Sequence, residues 1–285
     1  MTKVDQFESM FRAAQREALR YERPEFDSIL VVTDLDSGEA GAFTDAVRSH
    51  LSVLTDSSPT WRVVSGPEFQ TAADLLDLVS AAKPSLICTY RCLHSTSWKW
   101  PYSLGTHLDV LTQHTRTPVL VLPHPKADRA AGHAVQRTRT VMAITDHLAG
   151  EHRLVNHALR FVDPDGTLWL THVEDEATFE RYMETIAKIP AIDTSQAREE
   201  IRAQLLKDPH EYVARCREMI EEQGLPVTIE EVVTFGGHLP EYRKLIETHQ
   251  VDLLVLHTKD EDQLAMRGVA YELAVELRSI SLLML

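Results

Sequence analysis

Hydrophobic and polar positions alternate in blocks along this chain, and the blocks come in two successive sets. Val4, Phe7, Phe11, Ala14 and Ala18 recur at three- and four-residue spacing, which predicts an amphipathic helix over Val4 to Tyr21, closed by Pro24. SILVVTDLDSGEA then reads as a buried strand breaking into an acidic turn, with a helix around Gly41 to Leu54. TWRVVSG is a second strand, and Phe69, Ala72, Leu76 and Val79 mark one face of the next helix. PSLICTY follows, then a loop with Trp98, Trp100 and Pro101, a helix carrying Leu104, Leu108 and Leu111, and the strand TPVLVL.

Residues 127–138, carrying Ala, Gly, Arg and His without an apolar period, read as a linker, after which the pattern restarts. MAITDHLAGEHRLVNHAL repeats the opening strand, turn and helix, and TLWLTHV, TIEEVV, VDLLVL and SISLLML are further strands. Apolar strands alternating with amphipathic helices predict parallel sheets covered by helices on both faces. The fold class is therefore α/β, with two doubly wound parallel-sheet domains in tandem. The boundaries are an N-terminal helix at 1–24, a first, shortened domain at 25–126, the linker, and a second domain at 139–285. TWRVVSG follows the first helix almost directly, whereas TLWLTHV and a helical insert at about 176–223 stand before TIEEVV, so the first copy lacks one strand–helix unit. The insert breaks at Pro190 and restarts near Ser195, a helical hairpin.

Composition narrows the function. With 43 acidic and 29 basic residues the net charge is −14, which repels phosphate backbones and argues against nucleic acid. Cys88, Cys92 and Cys216 are too few for a disulfide scaffold, and no run approaches the roughly 20 apolar residues of a membrane span. A cytoplasmic protein without membrane contact is expected. The closing strands TPVLVL and SISLLML are expected to pair within the chain, since an open apolar edge aggregates. A homodimer through the N-terminal helix stays open, and no protein partner is named by the sequence.

This layout resembles the universal stress protein family over about residues 27–122 and 139–285. Nucleotide-holding members resemble one another in a G-x2-G-x9-G-[ST] run, whose glycines admit phosphate to backbone N–H groups at a helix N-terminus. Gly105 and Thr106 match its end, but Cys92 and Ser95 stand where the first two glycines belong. In the second copy Gly268 is followed by Val269, and Asp260, Glu261 and Asp262 fall where phosphate would sit. The resemblance also implies a nucleoside end, matched by Thr33 and Asp34 in the first copy and by Thr145, Asp146 and Val173 in the second, with His257 closing VDLLVL. Each copy keeps one end of a site.

The resulting expectation is a non-enzymatic stress-response adaptor or signalling protein without a tightly held cofactor. One alternative is a switch or weak ATPase binding ATP or AMP through the second domain. The other is a metal-responsive sensor built on His147, His152, His157 and His172, although no compact ligand motif joins them. Cys88, Cys92 and His94 form C-x3-C-x-H, read as packed thiols, and Trp98, Lys99 and Trp100 read as a cover over the shortened core or a stacking platform.

Overall fold

The computed structural model describes residues 19–100, 102–127, 130, 135–144, 152–258 and 268–285. Nearly all of the helix expected over 4–21 lies outside this set, and residues 19–21, which lie inside it, are not helical. The first half contains β1 (Ser28–Val32), α1 (Ser37–His50), β2 (Thr60–Val64), α2 (Ala72–Ala82), β3 (Leu86–Tyr90), α3 (Thr106–His114) and β4 (Val119–Leu122). The second contains β5 (Thr140–Ile144), α4 (His152–Phe161), β6 (Gly166–Asp175), α5 (Glu176–Ile186), α6 (Thr194–Glu222), β7 (Val227–Gly236), α7 (His238–His249), β8 (Leu253–Leu256), α8 (Gly268–Glu276) and β9 (Ser281–Met284).

The nine strands among the described residues form one sheet in the order β2-β1-β3-β4-β9-β8-β5-β6-β7. Every neighbouring pair is parallel except β4 and β9, the closing strands of the two halves, which run antiparallel with Leu120 opposite Leu283. The central strands are β-branched and leucine-rich runs buried along their length, as strands covered on both faces must be. Helix starts follow local chemistry. Asp36 accepts from the N–H groups of Gly38 and Glu39 to open α1, Thr71 and Asp74 form a capping box on α2, and Asp193 caps α6.

Strand registers show how the copies correspond. Ile29 lies opposite Leu86, and Val141 opposite Leu253, so Tyr90 and His257 occupy equivalent places. The neighbours of β1 and β5 are β2 and β6. TWRVVSG thus stands where TLWLTHV stands, which corrects the expectation that it answers TIEEVV; among the described residues the first half has no counterpart of β7, the outermost strand of the second. The short connection after α1, a 3-10 turn over Ser52–Ser57, delivers the chain directly to the position beside β1. Even the strand starts repeat. Ser85 Oγ accepts from Ser28 N–H, and Asp252 Oδ2 accepts from the N–H groups of Arg139 and Thr140.

Two buried arginines cross between the halves. Arg91, just beyond β3, donates to the carbonyls of Ala274 (2.7 Å) and Leu277 (2.8 Å) at the C-terminal end of α8, where the helix dipole favours a cation. Burial still draws its pKa down to about 10. Arg160 on α4 reaches Val53 O (3.1 Å), Asp56 Oδ1 (2.6 Å) and Ser57 Oγ (2.6 Å) in the 3-10 turn of the first half.

Candidate functional site

In doubly wound sheets, ligands bind beyond the carboxyl ends of the strands. In the first half this end carries Thr33 and Asp34 after β1, Tyr90 ending β3, the loop from Cys92 to Leu104, and Gly105 and Thr106 opening α3. Thr33, Asp34, Ser95, Gly105 and Thr106 are the first-copy residues singled out by sequence, and Asp34 and the loop meet directly.

Tyr90 organises the centre. Its hydroxyl donates to Asp34 Oδ1 and receives both the Thr33 hydroxyl (2.7 Å) and the Asp34 N–H (3.1 Å), while Thr33 Oγ1 accepts from Leu35 N–H (3.1 Å). One donor and two acceptor positions are thereby all used. The second Asp34 oxygen accepts from His94 N–H at 2.8 Å. Burial pushes the tyrosine hydroxyl well above its ordinary pKa, and the hydrogen bond to Asp34 adds to that. Phe43 and His124 both meet the Tyr90 ring in T-shaped contacts, at 5.1 and 4.8 Å, and Trp98 stacks on His124 at 4.8 Å. Burial draws the His124 pKa down to about 4, against the opposing pull of Asp34. A second ring group joins Phe69, His94 and His107 at centroid distances of 4.7–5.5 Å.

The loop bears the marks of the motif it has departed from. Cys92 has φ +61°, the left-handed conformation that favours glycine, and His94 has φ +55°. Ser95, the other glycine position, is extended and caps the following 3-10 turn through Ser97 N–H. Gly105, with φ +87°, passes so close to Cys92 that a Cβ would lie 2.6 Å from the Cys92 Cα. Backbone donors that would be needed by phosphate are engaged inside the chain: Cys92 N–H on Leu104 O, His94 N–H on Asp34, Ser95 N–H on Cys92 O, Ser97 N–H on Ser95 Oγ and Gly105 N–H on Ser103 Oγ. At the place equivalent to Val173 stands Gly66, where a Cβ would meet the Asp34 carbonyl oxygen at 2.7 Å. The loop N–H groups named here are thus spent within the chain, and Gly66 stands where the second half carries Val173.

In the second half Thr145 and Asp146 lie outside the described residues, as do His147, Asp260, Glu261 and Asp262. Val173 is buried at the end of β6, and its carbonyl accepts from His238 Nε2 at 2.9 Å. His257 follows β8, and Gly268 opens α8. His172 pairs with Glu174 at 3.2 Å, His152 Nδ1 accepts from Arg20 N–H, and His157 donates to Arg153 O. Among the described residues no three His, Cys, Asp or Glu side chains gather as metal ligands. Cys88 and Cys92 are buried free thiols with raised pKa, the result of burial, as packed thiols should be. Lys99 stands over Trp98, and Trp100 is exposed.

Sequence reasoning missed Tyr90 and His124, and met His94 only as the end of C-x3-C-x-H, not as the partner of Asp34. The signal for Tyr90 was its position, since a polar ring closes PSLICTY as His257 closes VDLLVLH; His94 and His124 come from loops whose course no periodicity encodes.

No protein-family model and no curated protein matches the chain. Among solved structures, a putative universal stress protein from Pseudomonas aeruginosa UCBPP-PA14 aligns with TM-score 0.50 and 16% identity over 91% of this chain and 93% of its own. A functionally unknown protein from Pseudomonas aeruginosa PAO1 gives 0.47 and 14% over 91% and 92%, and a universal stress protein from Archaeoglobus fulgidus DSM 4304 gives 0.48 and 9% over 92% and 97%. The fold is a mostly parallel α/β fold of the universal-stress-protein-like type. Among the described residues no helix is long and apolar enough to cross a membrane.

Proposed function

We propose that this protein is a non-enzymatic adaptor or signalling protein of the stress response, whose first-half site is a filled structural centre instead of a nucleotide pocket. The observation that carries this reading is the Asp34 carboxylate, held on one oxygen by the Tyr90 hydroxyl and on the other by His94 N–H. With Asp34 committed to Tyr90 and His94, beside loop N–H groups already bonded within the chain, a ribose or a phosphate would have to displace contacts that the chain makes with itself. The universal-stress-protein-like fold supports the class but not the role, since one fold of this kind serves many functions.

Calorimetric titration with ATP, ADP and AMP, with and without Mg²⁺, after removal of carried-over nucleotide, tests the reading. No heat and no retained nucleotide are expected. Micromolar binding that is lost in Asp146→Ala would overturn it in favour of a nucleotide switch in the second half.

A further inference from the structure

Among the described residues β2 is an outer edge of the sheet with no strand beyond it, and the chain's own repeat shows what such an edge takes. Thr60 N–H donates to Asp27 O, and Val64 O accepts from Thr33 N–H, so Thr60, Arg62 and Val64 turn their backbone groups toward β1. In a parallel ladder the intervening residues, Trp61 and Val63, then turn N–H and C=O away from the sheet. Arg62 is exposed, and Val63 is 36% exposed. At the equivalent places on β6, Leu168 and Leu170 are fully buried and meet β7, with Ile229 opposite Leu168, Glu230 opposite Trp169 and Glu231 opposite Leu170.

A second copy of this chain is a poor occupant. Antiparallel pairing of two β2 edges about Arg62 sets the two Arg62 side chains opposite each other, and like charges in that position are destabilising. Centring on Trp61 or Val63 brings in Pro59, which has no N–H, or Ser65, whose N–H already donates to Glu68. The other outer edge, β7, is blunted: Arg217 Nε donates to Ile229 O at 3.2 Å, an outward-facing carbonyl, and its Nη1 pairs with Glu231 at 3.3 Å.

We propose that the β2 edge docks an extended segment of another protein by strand addition, running parallel to β2, with an apolar residue opposite Trp61 and an acidic one opposite Arg62. Main-chain bonds to Trp61 and Val63 supply the attachment, and Arg62 supplies the choice of charge. The β7 strand, with Ile229 and Glu230 at those places, is the template for this chemistry. This names a docking edge for the adaptor reading and rests on it for its purpose, but the two tests fail separately, since a nucleotide titration does not report on β2.

The probe is a labelled synthetic peptide with the sequence of residues 227–233, VTIEEVV, titrated into the full chain by fluorescence anisotropy, with a second peptide carrying Lys at both Glu positions. Saturable binding of the first peptide, with slowed amide exchange at Trp61 and Val63, is expected. Val63→Pro, which removes an outward N–H without touching the β1 ladder, should weaken binding at least tenfold, and Arg62→Glu should reverse the preference between the peptides. Arg62→Glu alters only an exposed side chain and keeps the test open should Val63→Pro fail to fold. Absence of saturable binding, indifference to Arg62→Glu, or self-association of the chain that Val63→Pro disperses would each overturn the proposal.

Discussion

Tyr90 shows how much one hydroxyl can hold. Replacing it with Phe keeps the ring against Phe43 and His124 but strips a hydrogen-bond partner from Asp34 N–H, from the Thr33 hydroxyl and from one Asp34 oxygen. Leaving buried polar groups unmatched costs about 1–3 kcal/mol. Tyr90→Phe should therefore lower the unfolding free energy by that amount, read as a lower urea midpoint with an unchanged denaturant slope; an unaltered midpoint would mean that the network holds nothing. The histidines set a second expectation at this scale. Burial draws both His124 and His157 down to about 4, His124 facing Asp34 and Lys126, His157 facing Arg153 and His257, and burial lowers His50 as well. An unfolded histidine takes its proton near pH 6.5, so between 6.5 and 4 the unfolded chain holds more protons than the folded one. These groups leave stability intact above about 6.5 and erode it as pH falls toward 4. Denaturant midpoints across that window should decline, and His124→Gln should make the decline shallower.

At the scale of elements, the insert is held by side chains on one helix. Arg202 of α6 lies 3.9 Å from the ring centroid of Phe235 on β7 and pairs with Glu176 on α5, while Arg198 pairs with Glu180 and flanks Phe179. Arg202→Ala removes the shared contact. A partly shielded cation–π pair contributes about 1 kcal/mol, so amide exchange in α5 should quicken about fivefold while the central strands keep their protection. The restart of the hairpin was readable from its own residues, because Thr194 opens α6 within a residue of the expected Ser195, whereas α5 already ends at Ile186, four residues before the Pro190 break. The counterpart of TWRVVSG was not. Strand order depends on which neighbour a strand finds, and nothing in Thr60–Val64 tells the place beside β1 from the place one strand further out. The candidate site divides in the same way. Cys92 keeps a glycine's backbone angle and could be placed by counting back from Gly105, whereas the partners that fill the site, Tyr90 with His94 and His124, approach Asp34 from β3 and two loops.

For the whole molecule the decisive feature is the antiparallel seam, where β9 lies between β4 and β8 with Leu283 opposite both Leu120 and Val255. Leu283 is fully buried, and Arg91 and Arg160 tie the same two halves together on either side of the chain's midpoint. Halves joined by a continuous sheet and by buried charges bonded to each other's backbone cannot unfold one at a time without opening that seam. The chain should consequently melt in a single calorimetric transition, with van't Hoff and calorimetric enthalpies in agreement. Leu283→Asp places an unpaired carboxylate in the middle of the sheet, a change of the severe class in which a buried charge has no partner. It should bring down both halves together, so that exchange protection in β1 and β5 falls by the same factor. Loss of protection in β8 and β5 with β1 and β3 unmoved would show two independent units that happen to touch, and the seam would then be an interface instead of a core.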